Sequence, residues 1–196
     1  SQGSLAANIL PDNLPKGKSF AVSADERRVA INTANHISVW SVETGEQIAE
    51  LTLPKRQTHA KRIEFSMDGS GLFAVMDWRR DSPGSAKLLG WRLRDGQTFL
   101  DAALHGTRAA FRMSPDGVSL VTADDAHQIQ IWDTGTGSPT GVLGEAPRLT
   151  DLRMSTDGKI LLLGDMEGGV STWNLDSGQL EMRYVGAASH VTSVAI

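Results

Sequence analysis

Cysteine is absent from the 196-residue sequence, which excludes a disulfide framework, a thiol nucleophile and a zinc site with thiolate ligands. Long apolar runs are missing as well, since stretches such as ILLLG at 160–164 fall far short of the roughly 20 residues that span a bilayer. No secretory leader is recognisable in the opening SQGSLAAN, which has no initiator Met. The cytoplasm and the periplasm are therefore both compatible with the sequence.

Residue patterns typical of catalysis are also scarce. The five His residues include no pair at the His-x-x-x-His spacing of zinc proteases, and the sequence has no nucleophile elbow, phosphate-binding glycine loop or dinucleotide-binding fingerprint. We therefore expect no catalytic, cofactor-binding or metal-binding residues and no enzymatic activity. The 40% hydrophobic and 21% charged content is typical of a globular domain with a substantial core.

A repeated module organises the residues that are present. Four Trp residues each have a Gly five positions later, and successive members lie 51, 41 and 41 positions apart. A Ser-x-Asp tripeptide precedes each Trp, and its Asp lies 15, 23, 16 and 16 positions before that Trp. The four pairs are Asp25 and Trp40, Asp68 and Trp91, Asp116 and Trp132, and Asp157 and Trp173. The sequence thus contains four copies of one module, with an insertion in the second.

Each module holds four short apolar segments separated by turns that contain Gly. In the third module the first three segments are AFRMS, VSLVTA and HQIQIW, and the turn GTGS leads to the fourth. No segment reaches the length of an average helix, and this rhythm indicates antiparallel strands. We interpret the repeated Asp residues as turn formers, because Asp side chains bond to their own backbone. The repeated Trp residues are interpreted as packing residues in preference to a ligand cage.

The repeat length, the four strands per module, SPDG at 114–117 and IWDTGTG at 131–137 resemble the WD-repeat family of β-propellers. The resemblance covers roughly residues 18–196 and implies an all-β fold, an incomplete β-propeller of four-stranded antiparallel blades. Only Trp132 is followed by Asp, and the Gly-His dipeptide of the family loses its His. The family's buried His-Ser/Thr-Trp-Asp hydrogen-bond network is therefore expected to be absent.

Alignment on the repeat predicts the organisation of the whole chain. We expect a leader at 1–17 that supplies the outer strand of a preceding blade, four complete blades, and the first strand of a further blade at 187–196. The four blades are expected at 18–54, 55–103 with an inserted loop at 77–87, 104–145 and 146–186. An open array leaves two apolar end faces, so we expect either a longer polypeptide or self-association through those ends.

The inserted loop of the second module holds the one Trp outside the repeat. In a propeller of this family, that loop emerges beside the connection KRQTHAKR at 55–62. Residues 55–94 contain nine Lys and Arg against four Asp and Glu, a net +5, whereas the remainder carries −9. This surface is either a solvated loop or a binding site in which Trp78 is an aromatic anchor and basic residues recognise carboxylates or phosphates. The candidate residues are Trp78, Arg79, Arg80, Arg56, His59 and Lys61.

The resemblance implies a protein–protein interaction scaffold whose propeller loops meet a protein partner, and the basic residues of the inserted loop and its neighbour suggest that this partner has an acidic or phosphorylated surface. The alternative is an accessory sensor or ligand-binding segment of a larger signalling, effector or enzyme protein, with a site that lies partly in other blades. Nucleic acid is a disfavoured partner, because a net charge of −4 and a pI of about 5.7 oppose adhesion to a polyanion.

Overall fold

In its described residues, the computed structural model contains sixteen β-strands in four sheets. It describes residues 19–33, 35–54, 60–77, 85–106, 109–124, 128–145, 148–186 and 189–196, without the side chains of Lys61, Asp77 and Ser85. The first sheet contains β1 (Ser19–Val22), β2 (Arg28–Asn32), β3 (His36–Ser41) and β4 (Gln47–Thr52). The second contains β5 (Ala60–Phe65), β6 (Gly71–Asp77), β7 (Ser85–Arg92) and β8 (Thr98–His105). The third contains β9 (Ala110–Met113), β10 (Ser119–Ala123), β11 (Gln128–Asp133) and β12 (Pro139–Glu145). The fourth contains β13 (Leu149–Met154), β14 (Ile160–Asp165), β15 (Gly169–Asn174) and β16 (Gln179–Val185).

The strands of every sheet are antiparallel and follow one another in chain order. This arrangement confirms the predicted fold class, an all-β incomplete propeller of four-stranded antiparallel blades. The described residues contain no helix of the length and hydrophobicity that crossing a membrane requires. The exact limits of each blade along the chain stay a prediction.

The hydrophobic core is divided among the three junctions between neighbouring sheets. One cluster of buried side chains joins the first and second sheets, another the second and third, and another the third and fourth. Strand β6 shows how one segment serves two junctions. Leu72, Ala74 and Met76 pack towards the first sheet, whereas Phe73 and Val75 pack towards the third. Because both faces of such a strand are buried, its sequence is a continuous apolar run without polar alternation.

Three of the four repeated Trp residues pack between sheets, as the sequence predicts. Trp91, Trp132 and Trp173 are all buried, and each belongs to the cluster that its sheet shares with the preceding one. Trp40 of the first sheet is half-buried. At each of the four positions the pairing of the third strand with the fourth shifts register next to the Trp. The sequence repeat therefore coincides with a repeated β-bulge.

The Ser-x-Asp tripeptides form the turns between the first and second strands. In the third sheet the Ser114 hydroxyl donates to Asp116 Oδ1 at 2.5 Å, and this oxygen also accepts the Val118 N–H at 3.0 Å. Ser114 Oγ in turn accepts the Ser119 N–H at 2.9 Å. The same bonds recur in the other three sheets. These contacts confirm the interpretation of the repeated Asp residues as turn formers.

Asp116→Asn is expected to make the stability of the chain less sensitive to acid. The hydrogen bonds from Ser114 and the Val118 amide lower the pKa of Asp116 below its ordinary value of 3.8. Stability that the ionised carboxylate contributes above pH 3.8 is therefore lost as the pH falls through the lowered pKa. The variant should take up fewer protons on unfolding below pH 3.8, by a fraction of one proton, because one titrating group is gone. The pH dependence of the urea midpoint between pH 5 and pH 2 measures this difference.

The matched control for Asp116→Asn is Asp176→Asn. The Asp176 carboxylate is exposed and accepts no hydrogen bond from the described residues, so this variant removes one negative charge without breaking a side-chain hydrogen bond. Equal slopes for the parent chain and Asp116→Asn would contradict the role assigned to the turn carboxylates.

Candidate functional site

The two segments that hold the candidate binding residues are attached side by side at one end of the second sheet. Ala60, the first residue of β5, lies opposite Met76 of β6. Asp77, which follows Met76 and ends β6, lies opposite Ala86 of β7. Residues 55–59 and 78–84 therefore leave the sheet from neighbouring positions. Trp78, Arg79, Arg80, Arg56 and His59 lie outside the described residues, and of Lys61 only the backbone, in β5, is described.

Side chains of the first sheet hold the start of β5. The Ser19 hydroxyl donates to the Ala60 carbonyl at 3.1 Å, and the Asn32 amide donates to the same oxygen at 3.3 Å. Asn32 is fully buried, so this contact is shielded from competing water. The residue at which the segment 55–59 joins β5 is thus held in place at the junction of the first and second sheets.

Charged residues of the first strands form a network that the sequence interpretation missed. The sheets meet one another chiefly along these strands. Arg62 is paired with Glu64 within β5, and the Met113 N–H of β9 donates to Glu64 Oε2 at 3.3 Å. Asp151 of β13 lies 2.8 Å from Arg153 and 3.6 Å from Arg112 of the neighbouring sheet. The signal was present, because these residues occupy the second and fourth positions before the repeated Ser of their modules.

Burial raises the pKa of Glu64 above its ordinary value of 4.5, and this rise is opposed by Arg62, the Met113 amide and Arg153. The raised pKa favours the protonated form in the folded chain. The contribution of Glu64 to stability is complete below pH 4.5 and is lost as the pH rises through the raised pKa. This pH dependence is opposite in sign to that of the turn Asp residues. Glu64 therefore partly offsets the acid sensitivity of the turns.

The third sheet keeps part of the hydrogen-bond network that the sequence was expected to lack. Trp132 Nε1 donates to Thr122 Oγ1 at 2.9 Å inside the core, and Asp124 Oδ2 accepts the His105 N–H at 2.8 Å. His105 Nδ1 also lies 3.4 Å from the same oxygen. These contacts form a Trp-Thr pair and a His-Asp pair, and the His105 side chain is 69% exposed, so they do not make up the buried four-residue network, whose absence stays an expectation.

The equivalent bond is missing in two other sheets for a local reason. Leu163 occupies the position of Thr122 in the fourth sheet, and Ile31 occupies it in the first. Trp173 Nε1 and Trp40 Nε1 accordingly have no hydrogen-bond partner within the described structure. In these three sheets the indole N–H finds a hydrogen-bond acceptor only where the neighbouring strand carries a hydroxyl at this position.

The final residues lie against the fourth sheet. The Val191 N–H donates to the Asp165 carbonyl at 3.0 Å, and Asp151 Oδ2 accepts from the Ser193 hydroxyl at 3.0 Å and from the Val194 N–H at 3.2 Å. Residues 189–196 are not assigned to a strand. Their assignment to a further blade stays a prediction.

The described residues include no group of three or more His, Asp or Glu side chains placed to hold a metal ion. The repeated Ser and Asp residues of the turns form hydrogen bonds within those turns. The charged residues of the first strands form hydrogen bonds and ion pairs with one another and with neighbouring strands. The described part of the second sheet offers a fixed platform to which two basic segments are attached at neighbouring positions.

Comparison with known proteins gives distant matches. The chain is 28% identical over 90 residues to cilia- and flagella-associated protein 52 of Sus scrofa, and 26% identical over 90 residues to the protein of that name from Homo sapiens. Each match covers 44% of this chain and 14% of the relative. The chain is also 20% identical over 158 residues to Target of rapamycin complex subunit wat1 of Schizosaccharomyces pombe. That match covers 80% of this chain and 48% of the relative.

No family model matches the sequence. The chain spans less than half the length of each of these relatives. At such low identity the matches support the WD-repeat family and no narrower group.

Proposed function

We propose that this chain is a scaffold for protein–protein interaction, and that its partner contacts the segments 55–59 and 78–84 of the second sheet. One observation carries the proposal: the pairing of Ala60 with Met76 brings the bases of both segments together at one end of the sheet. The similarity to WD-repeat proteins supports a general role in protein interaction.

The residue types in these segments are those that dominate binding energy at protein interfaces. Trp78 supplies a large apolar surface, and Trp and Arg are enriched among hot-spot residues. Arg79, Arg80 and Arg56 supply planar guanidinium groups for bidentate contacts to carboxylates or phosphates, and Lys61 and His59 add further N–H donors. The proposed partner surface is therefore acidic or phosphorylated.

The double variant Trp78→Ala/Arg80→Ala is expected to lose partner capture by at least about tenfold, since hot-spot truncations cost about 2 kcal/mol or more. The immobilised parent chain and the variant are compared by quantitative mass spectrometry of the captured proteins. The melting temperature should change by less than about 4 °C, because surface substitutions seldom cost more than about 1 kcal/mol.

A matched control is available on the outer strand of the fourth sheet. Arg183→Ala/Tyr184→Ala also removes one Arg and one aromatic side chain, and both residues are exposed. Capture should survive in this control. The scaffold site is rejected if the Trp78 and Arg80 variant retains the partners, or if it loses them only because the chain unfolds.

A further inference from the structure

A cavity of about 780 Å³ lies at the opposite end of the strands from the proposed partner site. We propose that it binds a short acidic peptide segment of a protein partner, with an apolar side chain inserted in the cavity and carboxylates on its Arg rim. It is lined by strand ends and turns from the first, second and third sheets. Its volume lies within the range of about 300–1,000 Å³ that is usual for ligand sites.

The floor of the cavity is aromatic. The rings of Phe73 and Phe99 meet edge to face, with centroids 5.7 Å apart and an interplanar angle of 85°. Phe73 is buried, and Phe99 is half-buried at the cavity surface. A Cβ on Gly90 would lie 3.1 Å from the Phe73 ring, so the absence of a side chain there allows the ring its position. The remaining apolar lining comes from Ile48, Ala49 and Leu93. An apolar ligand side chain thus has a preformed surface to contact.

The rim of the cavity is basic. Its lining includes three Arg residues, Arg28, Arg92 and Arg94, and no Asp or Glu. The guanidinium carbon of Arg92 lies 5.5 Å from the centroid of Phe99, and its positive charge helps to lower the pKa of the nearby Asp95. Such a cation on an aromatic face is held in place while its outward N–H groups stay available.

The other two arginines differ in how freely they can donate. Arg94 has a side chain that is 79% exposed, and its described ion pair is with the adjacent Asp95 at 3.3 Å, a surface contact that water and ligands can replace. Arg28 donates from Nη1 to the Gly69 carbonyl, which ties it to the turn of the second sheet. Arg92 and Arg94 are therefore the groups placed to receive carboxylates, with Arg28 as a fixed positive charge behind them.

Charge on the neighbouring surface favours a short peptide over a long polyanion. A smaller depression of about 350 Å³ adjoins the cavity, and its lining includes Asp68, Asp116 and Asp133. Hydrogen bonds lower the pKa of each of these carboxyl groups, so they carry negative charge at neutral pH. A nucleic acid strand that followed the rim would bring many phosphates towards these charges, whereas a short peptide brings only one or two carboxylates.

Selection from a library of random heptapeptides displayed on phage tests the proposal. Peptides retained by the parent chain should be enriched in Asp or Glu next to Leu, Ile or Phe. The most enriched peptide, synthesised with a fluorescein label, should bind Arg92→Gln/Arg94→Gln at least about tenfold more weakly by anisotropy, since two charge-assisted contacts are lost. Arg183→Gln, which removes one exposed Arg from the fourth sheet, should bind as the parent does.

Several outcomes would overturn the proposal. One is a selection whose peptides are not enriched in acidic and apolar residues. Another is equal peptide affinity for the parent chain and Arg92→Gln/Arg94→Gln. A third is enrichment of acidic residues alone, which would indicate attraction to surface charge without insertion into the cavity. Arg92→Lys distinguishes planar recognition from charge, because it keeps the charge and should still weaken binding.

This inference is independent of the partner site proposed above. The Trp78→Ala/Arg80→Ala variant alters the other end of the second sheet, so it should bind the selected peptide with unchanged affinity. Loss of peptide binding in that variant would merge the two sites and contradict their separation. Failure of the capture experiment alone would leave the peptide result unaffected.

Discussion

Phe111→Ala is expected to lower the free energy of unfolding by about 3–5 kcal/mol, the usual cost of deleting a buried Phe. The Phe111 side chain is 0% exposed and lies in the cluster that joins the second and third sheets. Its removal leaves a cavity between two blades whose backbones are fixed by their own hydrogen bonds, so the site cannot collapse freely. Urea denaturation monitored by Trp fluorescence measures the loss.

The sequence repeat supplies a matched control for this variant. Phe20 is three residues before the repeated Ser of the first module, as Phe111 is in the third, but its side chain is 74% exposed. Phe20→Ala should therefore cost less than about 1 kcal/mol. Comparable losses for the two variants would mean that burial between sheets does not set the contribution of this position.

Gly137→Ala is expected to destabilise the chain by about 2–5 kcal/mol, from left-handed strain of about 1–2 kcal/mol and overpacking of about 1–3 kcal/mol. Gly137 has φ of +73°, and a Cβ there would lie 3.0 Å from the Leu100 Cβ and 3.1 Å from the Phe99 carbonyl oxygen. This turn of the third sheet rests on β8 of the second, and the backbone of β8 cannot move without disturbing its pairing with β7.

Gly178→Ala isolates the packing part of this effect. Gly178 occupies the same turn of the fourth sheet with φ of +70°, yet the nearest atom to its added Cβ is the flexible Leu143 Cδ2 at 3.5 Å. Its substitution should cost only the strain, about 1–2 kcal/mol. Thermal unfolding of both variants gives the comparison, and equal losses would rule out contact between the turn and β8 as the cause.

The strands and turns of each blade were predictable because their determinants are close in sequence. The Ser114 and Asp116 side chains bond to backbone groups no more than five residues away, and the same is true in the other three modules. The Gly five positions after each repeated Trp has a positive φ of about 70°, which a glycine adopts without strain. These features recur because each copy of the repeat carries its own turn residues.

The distribution of charge shows where sequence reasoning was insufficient. The basic stretch at 55–94 suggested one patch, but strand direction places its members at two ends of the second sheet. Arg92 lies at the end of β7 near the cavity, whereas Lys61 lies near the start of β5. A net charge summed over residues 55–94 does not show at which end of the sheet each charge lies. Antiparallel strands bring residues that are distant in sequence together and separate residues that are near in sequence.

The repeat, the all-β fold class and the chemistry of the turns were determined by the sequence alone, since they depend on short apolar segments between Gly-containing turns and on hydrogen bonds between residues a few positions apart. Tertiary structure decided which copy of each repeated residue is buried, as Phe111 and Phe20 show. It also decided which charges meet, as Arg112 and Asp151 do across two sheets, and which side chains surround the basic cavity. Burial and electrostatic pairing depend on neighbours from other sheets, and those neighbours are set only when the blades stack.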